Sequence, residues 1–263
     1  MYEDFARVYD EFMTTIPYTQ WADYAETLWK HYKIGYEKDQ KEKPSLVLDL
    51  ACGTGSLTVE LAKRGYDMIG ADSSMDMLNC ARDKMASEGV LDKILLLEQD
   101  MREFELYGTV ESILCTCDSL NYLLEEEDLL KVFRLAENYL DPGGLFLFDM
   151  NTEYKYKQLL GDRTFADTTD DAAFIWQNYY YDDDRINEYQ LTLFEKVGDL
   201  YRRTREDHLQ KAYDPEQVTD LLQKAGLKTE GVLDAFTLEP ARPDSERITF
   251  AARETYNKEK FYG

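Results

Sequence analysis

The sequence is short of positive charge. It has 30 lysine and arginine residues against 53 aspartate and glutamate residues, which gives a formal net charge of −23. Proteins that bind nucleic acids or anionic membranes use lysine and arginine to neutralise phosphates, so this balance argues against both kinds of partner. The one concentrated basic stretch is YRRTRE, which contains Arg202, Arg203 and Arg205. We therefore expect neither a nucleic acid nor a membrane as the partner.

Long apolar runs, cysteines and histidines are scarce as well. No apolar run approaches the roughly 18 residues that a membrane span needs, and the acidic start MYEDFARVYDEFM does not resemble a secretory signal. The four cysteines lie at positions 52, 80, 115 and 117, two of them in one apolar strand-like run, which favours free thiols in a reducing compartment. We expect a cytoplasmic protein. We expect no metal site, because Cys115-x-Cys117 lacks a second cysteine pair and the two histidines are far apart.

The sequence does contain a regular alternation of short apolar runs and helical patterns between about residues 45 and 151. The apolar runs are VLDLA, YDMIGAD, KILLLEQD, VESILCTCD and GGLFLFDMN. Continuous apolar runs are typical of strands buried on both faces, and their alternation with helices predicts a parallel sheet with right-handed crossovers. Ser56 and Ser74 are predicted helix caps. Two further strands, LKTEGVLDAF and ERITFAARE, are predicted near the end.

A different pattern occupies residues 165–209. Aromatic-rich runs of period two alternate there with turn residues at Asp182 to Asp184 and at Gly198-Asp199. This predicts an antiparallel sheet inserted as a lobe into an α/β domain made of residues 1–164 and 210–263. The run FIWQNYYY carries more aromatic surface than a solvated hairpin should expose. We predict that the lobe either covers the substrate site or forms the contact of a homodimer.

The segment VLDLACGTGSLT, residues 47–58, places a glycine turn between a strand and a helix. Such a turn lets a ligand approach the N–H groups at the start of the helix, as in nucleotide sites. The third glycine of the nicotinamide fingerprint is replaced by Thr58, and the lysine of a P-loop is absent. Instead, Asp72 ends the second strand, where it could accept both hydroxyls of a ribose. Asp100 and Met101 end the third strand, where they could hold an adenine.

These residues resemble the motifs of a known family. The segments VLDLACGTG, GADSSMDML, LEQDMREF, CDSLNYL and LDPGGLFLFDMNT are similar, in this order, to the motifs of class I S-adenosylmethionine-dependent methyltransferases. The flanking segments YEDFARVYDEFMTTIPYTQWADY and HLQKAYDPEQVTDLLQKAGL resemble a bacterial subgroup akin to glycine and aminosugar N-methyltransferases. The resemblance implies a Rossmann-like α/β fold. The implied fold has a mainly parallel seven-stranded sheet with the last strand antiparallel, helices on both faces, and an inserted antiparallel lobe.

The resemblance also implies the residues that hold the cofactor, S-adenosyl-L-methionine. They are Ala51, Gly53 and Gly55 at the methionine part, Asp72 at the ribose, Asp100 and Met101 at the adenine, Cys117 beneath the sulfonium, and Asp49, Ser73 and Met77 as further contacts. Many members of the family have glycine where this chain has Ala51, a difference that we expect to be tolerated if only the backbone approaches the ligand. Tyr18 and Trp21 could donate to the cofactor carboxylate, although plain core packing explains them equally well, and Met77 also fits a helix core.

The catalytic residues are less clearly marked. Methyl transfer requires mainly alignment, so an amine acceptor needs no strong base, whereas a hydroxyl acceptor does. His208 is the candidate base, the alternative being a histidine bonded to neighbouring acids. Asp118, Asn121 and Tyr122 follow the fourth strand, where they either face the acceptor or cap a loop.

A missing motif narrows the class of molecules that could accept the methyl group. The Asn/Asp-Pro-Pro-Tyr motif that grips planar amino groups in similar enzymes is absent from CDSLNYL, which argues against nucleobase methylation. We predict a methyltransferase that acts on a nitrogen or oxygen of a small neutral or cationic molecule. An RNA methyltransferase, a dehydrogenase and a non-catalytic cofactor-binding module are the alternatives.

Overall fold

The protein is described by a computed structural model that covers residues 17–35, 40–256 and 260. Residues 1–16, which include the acidic start MYEDFARVYDEFM, lie outside this range. The helices are α1 (Tyr18–Tyr32), α2 (Ser56–Lys63), α3 (Met75–Glu88), α4 (Glu126–Tyr139) and α5 (Pro215–Lys224). The strands are β1 (Leu46–Leu50), β2 (Asp67–Asp72), β3 (Ile94–Glu98), β4 (Val110–Cys115), β5 (Leu140–Asn151), β6 (Thr164–Thr168), β7 (Ala172–Tyr181), β8 (Ile186–Val197), β9 (Leu200–Lys211), β10 (Leu227–Asp234) and β11 (Arg247–Glu254).

Seven strands form the central sheet in the order β10-β11-β5-β4-β1-β2-β3. The pairs from β5 to β3 are parallel, whereas β11 runs antiparallel to both β5 and β10. The predicted Rossmann-like sheet with an antiparallel last strand is confirmed. Because β1 to β4 are parallel, their carboxyl ends meet at one edge, where ligands bind in open α/β sheets.

Two apolar layers cover the central sheet. On one face, Phe133 of α4 packs against Phe146 and Phe148 of β5, while α1, α2 and α3 cover the other face. Trp29 of α1 is fully buried, and its indole N–H donates to Ser112 Oγ of β4 at 2.9 Å. This bond fixes α1 against the sheet, so the start of α1 is held beside the carboxyl ends of the strands. In the described residues, no helix is long and apolar enough to cross a membrane.

The starts of α2 and α3 follow local rules. Ser74 caps α3, because its hydroxyl accepts the N–H of Met77 at 3.3 Å. Ser56 is the first residue of α2 instead of its cap, and Gly55 takes the cap position with φ of 70°. A Cβ on Gly55 would lie 2.9 Å from Ala81 Cβ, so both the backbone angle and the packing require glycine there.

The second sheet is antiparallel, with the order β6-β7-β8-β9, and it spans residues 164–211. Alternate residues of a strand share a face, and residues that are paired across antiparallel strands point to the same side. Trp176, Asn178, Tyr189, Glu206, His208 and Gln210 therefore lie on one side, which we call the inner face. It is buried or half-buried, whereas the other face exposes Ile175, Tyr181, Tyr201 and Leu209.

Candidate active site

An open cavity of about 250 Å³ lies at the carboxyl ends of β1, β2 and β4. A second cavity of about 220 Å³ adjoins it and shares Ala51, Asp72, Ser73, Met101 and Tyr122 with it. Together they are large enough for a nucleoside cofactor. The predicted cofactor residues that line the first cavity are Tyr18, Asp49, Ala51, Gly53, Asp72, Ser73, Met77, Met101 and Cys117, and Asp100 lines the second.

Two predicted cofactor residues line neither cavity. Gly55 starts α2 behind the turn, and Trp21 is buried against Phe236, with ring centroids 4.5 Å apart. The sequence did not point to several residues that do line the cavities, among them Leu57, Thr116 and Arg102. Leu57 and Arg102 lie within the motifs VLDLACGTGSLT and LEQDMREF, beside residues that were predicted, and Thr116 directly follows β4.

The glycine turn is built from left-handed backbone. Ala51, Gly53 and Gly55 have φ values of 59°, 55° and 70°. Glycine adopts such angles freely, whereas a residue with a Cβ pays about 1–2 kcal/mol. Ala51 was expected to be tolerated if only its backbone approached the ligand. In the structure, alanine at this position costs conformational free energy, because the backbone of Ala51 is left-handed.

Asp72 anchors the turn as well as lining the cavity. Its carboxylate accepts the N–H of Gly53 at 2.8 Å through Oδ2 and the N–H of Ser74 at 2.9 Å through Oδ1. Burial raises the pKa of this carboxyl, and the backbone N–H donors oppose that rise. Each carboxylate oxygen has a second lone pair, so Asp72 can still accept hydroxyl groups of a ligand.

Asp49 lies at the floor of the first cavity and is 2% exposed. The hydroxyl of Thr58 donates to its Oδ2 at 2.5 Å. Burial raises the pKa of Asp49 to about 7; the Thr58 bond opposes this, and the charge of Asp72 adds to it. A cation in the cavity would therefore ionise Asp49 near neutral pH. Thr58, which replaces a fingerprint glycine, thus serves to hold this carboxyl.

Asp100 is held by its neighbour Arg102. The Arg102 guanidinium donates to both Asp100 oxygens, at 2.9 Å through Nε and 2.5 Å through Nη2. The Arg102 side chain lowers the pKa of Asp100, so the carboxylate stays ionised at the wall of the second cavity. Asp100 is therefore a fixed hydrogen-bond acceptor, as an adenine amino group requires.

A largely buried ion cluster joins β5, β11 and the residues after β4, beside Cys117 and Ser119 of the first cavity. Arg247, at the start of β11, donates to Asp149 of β5 and to Asp118, the latter at 2.6 Å. Gln210 of the inner face also donates to Asp118, at 2.7 Å. Asp118 therefore ties the central sheet to the second sheet. Arg247 was not among the predicted site residues, although it lies in the predicted strand ERITFAARE.

The residues after β4 are unusual in their backbone. Cys117 and Asp118 have φ values of 57° and 52°, in succession. Such strain is common at functional sites. Burial, together with the charge of Asp149, raises the pKa of the Cys117 thiol well above its ordinary value. Asn121 is buried, and its amide donates to the carbonyls of Asn151 and Lys211 at 3.2 and 2.8 Å, so it joins the two sheets.

The remaining candidates are Tyr122 and His208. Tyr122 lines both cavities, and its hydroxyl is hydrogen-bonded to the Tyr189 hydroxyl of the inner face. His208 lines neither cavity. Its ring stacks on Tyr189 at 4.8 Å and meets the Tyr122 ring edge-on at 5.9 Å, and its Nε2 lies 3.2 Å from Glu206 Oε2.

Within residues 17–35, 40–256 and 260, no three histidine, cysteine or acidic residues cluster in a way that could hold an ion. None of the four cysteines forms a disulfide with another described residue.

A glycine turn over β1, acids at the ends of β2 and β3 and a cavity between them define a class of Rossmann-like enzymes that bind a nucleoside cofactor. Residues 47–144 match the family model described as "Methyltransferase domain". The chain is 35% identical to the protein named "Putative methyltransferase YqeM" of Bacillus subtilis, over 97% of this chain and 98% of that protein.

Two solved structures extend the comparison. An S-adenosylmethionine-dependent methyltransferase from Clostridium acetobutylicum is 30% identical with a TM-score of 0.82, covering 96% of this chain and 98% of that one. CalS10 from Micromonospora echinaspora, described as an amino pentose methyltransferase and solved with S-adenosylmethionine, has a TM-score of 0.73 at 18% identity, covering 94% and 97%. The chain belongs to the S-adenosylmethionine-dependent methyltransferases. Its cofactor is S-adenosylmethionine, which confirms that prediction.

Proposed function

We propose that this enzyme methylates a nitrogen or oxygen of a small neutral or cationic molecule. The observation that carries this proposal is the junction at Tyr122, where the cofactor cavity meets the inner face of the second sheet. A small molecule placed there would be enclosed by residues 165–209 instead of lying along an open groove. The relation in fold to an amino pentose methyltransferase supports the same substrate class.

We propose that the cofactor occupies both cavities. When bound, it supplies an electrophilic methyl group on a sulfonium. Asp72 would accept the ribose hydroxyls, Asp100 and Met101 would hold the adenine in the second cavity, and Asp49 would face the methionine ammonium. Cys117 would lie beneath the sulfonium. Ser73, Met77 and Tyr18 would complete the walls, because all three line the first cavity.

The net charge of the chain favours an acceptor that is not an anion. It is −23 and acts over long distances. Near Tyr122, Asp118 and Asp149 are balanced by Arg247 and by the buried ammonium of Lys155, so this cluster adds no excess charge of its own. The net charge also supports the absence of a nucleic-acid partner.

The test follows methyl groups from tritiated S-adenosylmethionine. The purified enzyme should label the low-mass fraction of a cell extract and release S-adenosylhomocysteine. Labelling of bulk tRNA or rRNA at catalytic rates would overturn the proposal in favour of RNA methylation. Tight binding of S-adenosylhomocysteine without transfer to any fraction would favour a non-catalytic cofactor-binding module.

Among the described residues no strand pairs with the outer edge of β9, where Leu200 and Tyr201 are 75% and 57% exposed, and this edge is our candidate contact of a homodimer. Light scattering of the wild type and of Tyr201→Lys tests it; equal monomer masses would reject it. Four cysteines without a disulfide among the described residues support a cytoplasmic location, which fractionation of cells would test.

A further inference from the structure

Residues 116–122, which follow β4 and which we call the connecting segment, have one side toward the cofactor. The members of this segment that line the first cavity are Thr116, Cys117, Ser119 and Tyr122. The backbone of Cys117 and Asp118 is left-handed, with φ values of 57° and 52°. Asp118 lines neither cavity. The connecting segment therefore presents Cys117 to the cavity and directs its neighbour Asp118 elsewhere.

The other side of the connecting segment is bonded to the second sheet. Three side-chain hydrogen bonds join the two. They are Gln210 with Asp118 at 2.7 Å, Asn121 with the carbonyl oxygen of Lys211 at 2.8 Å, and Tyr122 with Tyr189. Because three bonds hold the sheet, the loss of one should leave it docked on the other two, with an altered tilt.

Gln210 makes the bond whose geometry is most tightly defined. It is 1% exposed. Asp118 forms an ion pair with Arg247, and a carboxylate only accepts hydrogen bonds, so the NH₂ group of Gln210 must face Asp118. Oε1 of Gln210 accepts the hydroxyl of Tyr156 at 2.9 Å. Burial raises the pKa of Tyr156, so this hydroxyl keeps the proton that it donates. Both ends of the amide are therefore held.

Asp118 relates the position of Gln210 to the central sheet. Its Oδ1 accepts Nη2 of Arg247 at 2.6 Å, and its backbone N–H donates to Asp149 Oδ2 at 3.1 Å. A hydrogen bond to a charged group restricts both distance and angle, whereas two apolar surfaces can slide on each other. The bond from Gln210 to Asp118 therefore fixes the second sheet relative to the cavity wall at Cys117.

We propose that Gln210 is a positioning residue for methyl transfer, which acts through Asp118 to align the second sheet with the cofactor. This inference rests on the proposed function, because it needs an acceptor enclosed by residues 165–209. In the reaction, the acceptor lone pair bonds to the methyl carbon while the carbon–sulfur bond breaks and its electron pair stays on sulfur. A proton that the acceptor then loses passes to solvent. A displacement of about 1 Å can slow such a step about 100-fold.

Gln210→Met tests the proposal, because it removes the amide and nearly keeps the length of the side chain. The assay transfers tritiated methyl groups to the low-mass fraction of a cell extract. We expect kcat to fall about 10- to 100-fold at an unchanged KM for S-adenosylmethionine. Calorimetry should give wild-type affinity and stoichiometry for S-adenosylhomocysteine. Gln190→Met, the same substitution on the outer face of β8, is the matched control and should keep the wild-type rate.

Tyr156→Phe is a second variant, which decides the question if Gln210→Met does not fold. It keeps the buried ring and removes only the hydroxyl that holds Gln210, so we expect the same pattern with a loss of about fivefold, the scale of one hydrogen bond. Rates per bound cofactor equal to the wild type would overturn the positioning role alone. A fall in binding sites that matches the fall in rate would also overturn it. If the wild type transfers nothing to the low-mass fraction, the proposed function fails, and this inference with it.

Discussion

Asp49 makes cofactor binding depend on pH in a predictable way. Its carboxyl is buried at the floor of the cavity, and burial raises its pKa to about 7. If the methionine ammonium binds next to it, only the ionised carboxylate supports binding. With a pKa of about 7, the ionised fraction rises from about one-tenth at pH 6 to about nine-tenths at pH 8. We therefore predict that the affinity for S-adenosylhomocysteine rises about tenfold between these pH values, or about 1.4 kcal/mol.

Calorimetry at pH 6, 7 and 8 measures this change, and repeating it in buffers of different ionisation enthalpy counts the protons released. Asp49→Asn keeps an acceptor for the Thr58 hydroxyl and should show no pH dependence over this range. The folding stability of the ligand-free protein gives a second check, because it should change with pH in the opposite direction to the affinity. A folded pKa above the unfolded value of 3.8 means that stability falls as pH rises from about 4 to about 7. Equal affinities of the wild type at pH 6 and pH 8, or a slope that survives in Asp49→Asn, would refute the assignment.

Three other substitutions test separate parts of the site. Asp72→Ala should weaken S-adenosylhomocysteine binding by on the order of 1.5–3 kcal/mol in calorimetry, through lost bonds to a charged group; unchanged affinity would contradict the ribose assignment. Ala51→Gly should stabilise the protein in urea unfolding by about 0.5–1 kcal/mol, because strain of about 1–2 kcal/mol is relieved against the entropic cost of glycine. Ala86→Gly, at an exposed position of α3, should instead destabilise, and a loss in both variants would reject strain at Ala51. Arg247→Met should cost about 3–5 kcal/mol in the same assay, since Asp118 and Asp149 lose their shared cation; a loss below about 1 kcal/mol would show that the cluster is not paired in solution.

The central sheet and the cofactor could be predicted because their signals are local. The apolar run of β1, the glycine turn and the acids at the ends of β2 and β3 lie within about 55 residues and follow the strand and helix periods. The cap at Ser74 was predictable for the same reason. The assignment of Ser56 as a cap was wrong, because Gly55 had already taken the left-handed cap position.

The acceptor side could not be predicted in the same way. Arg247 meets Asp118 across 129 positions, and Gln210 meets Asp118 across 92. No periodicity connects residues so far apart, since only the order of strands in the sheet brings them together. His208 was predicted as the base from its side-chain chemistry alone, and that chemistry could not show that its ring stacks on Tyr189 and lines neither cavity.

The protonation state of two cysteine thiols at the cavity wall determines how readily the cofactor can methylate the enzyme itself. Cys52 and Cys117 both line the cavity that would hold an alkylating sulfonium. A thiol attacks such a carbon as the thiolate, which is among the strongest nucleophiles that a protein has. Burial and nearby carboxylates raise the pKa of both groups, so the thiolate is nearly absent at neutral pH. The carboxylates that favour a cationic cofactor therefore also keep these two thiols protonated. This limits methylation of the enzyme itself, so the methyl group remains available to the acceptor.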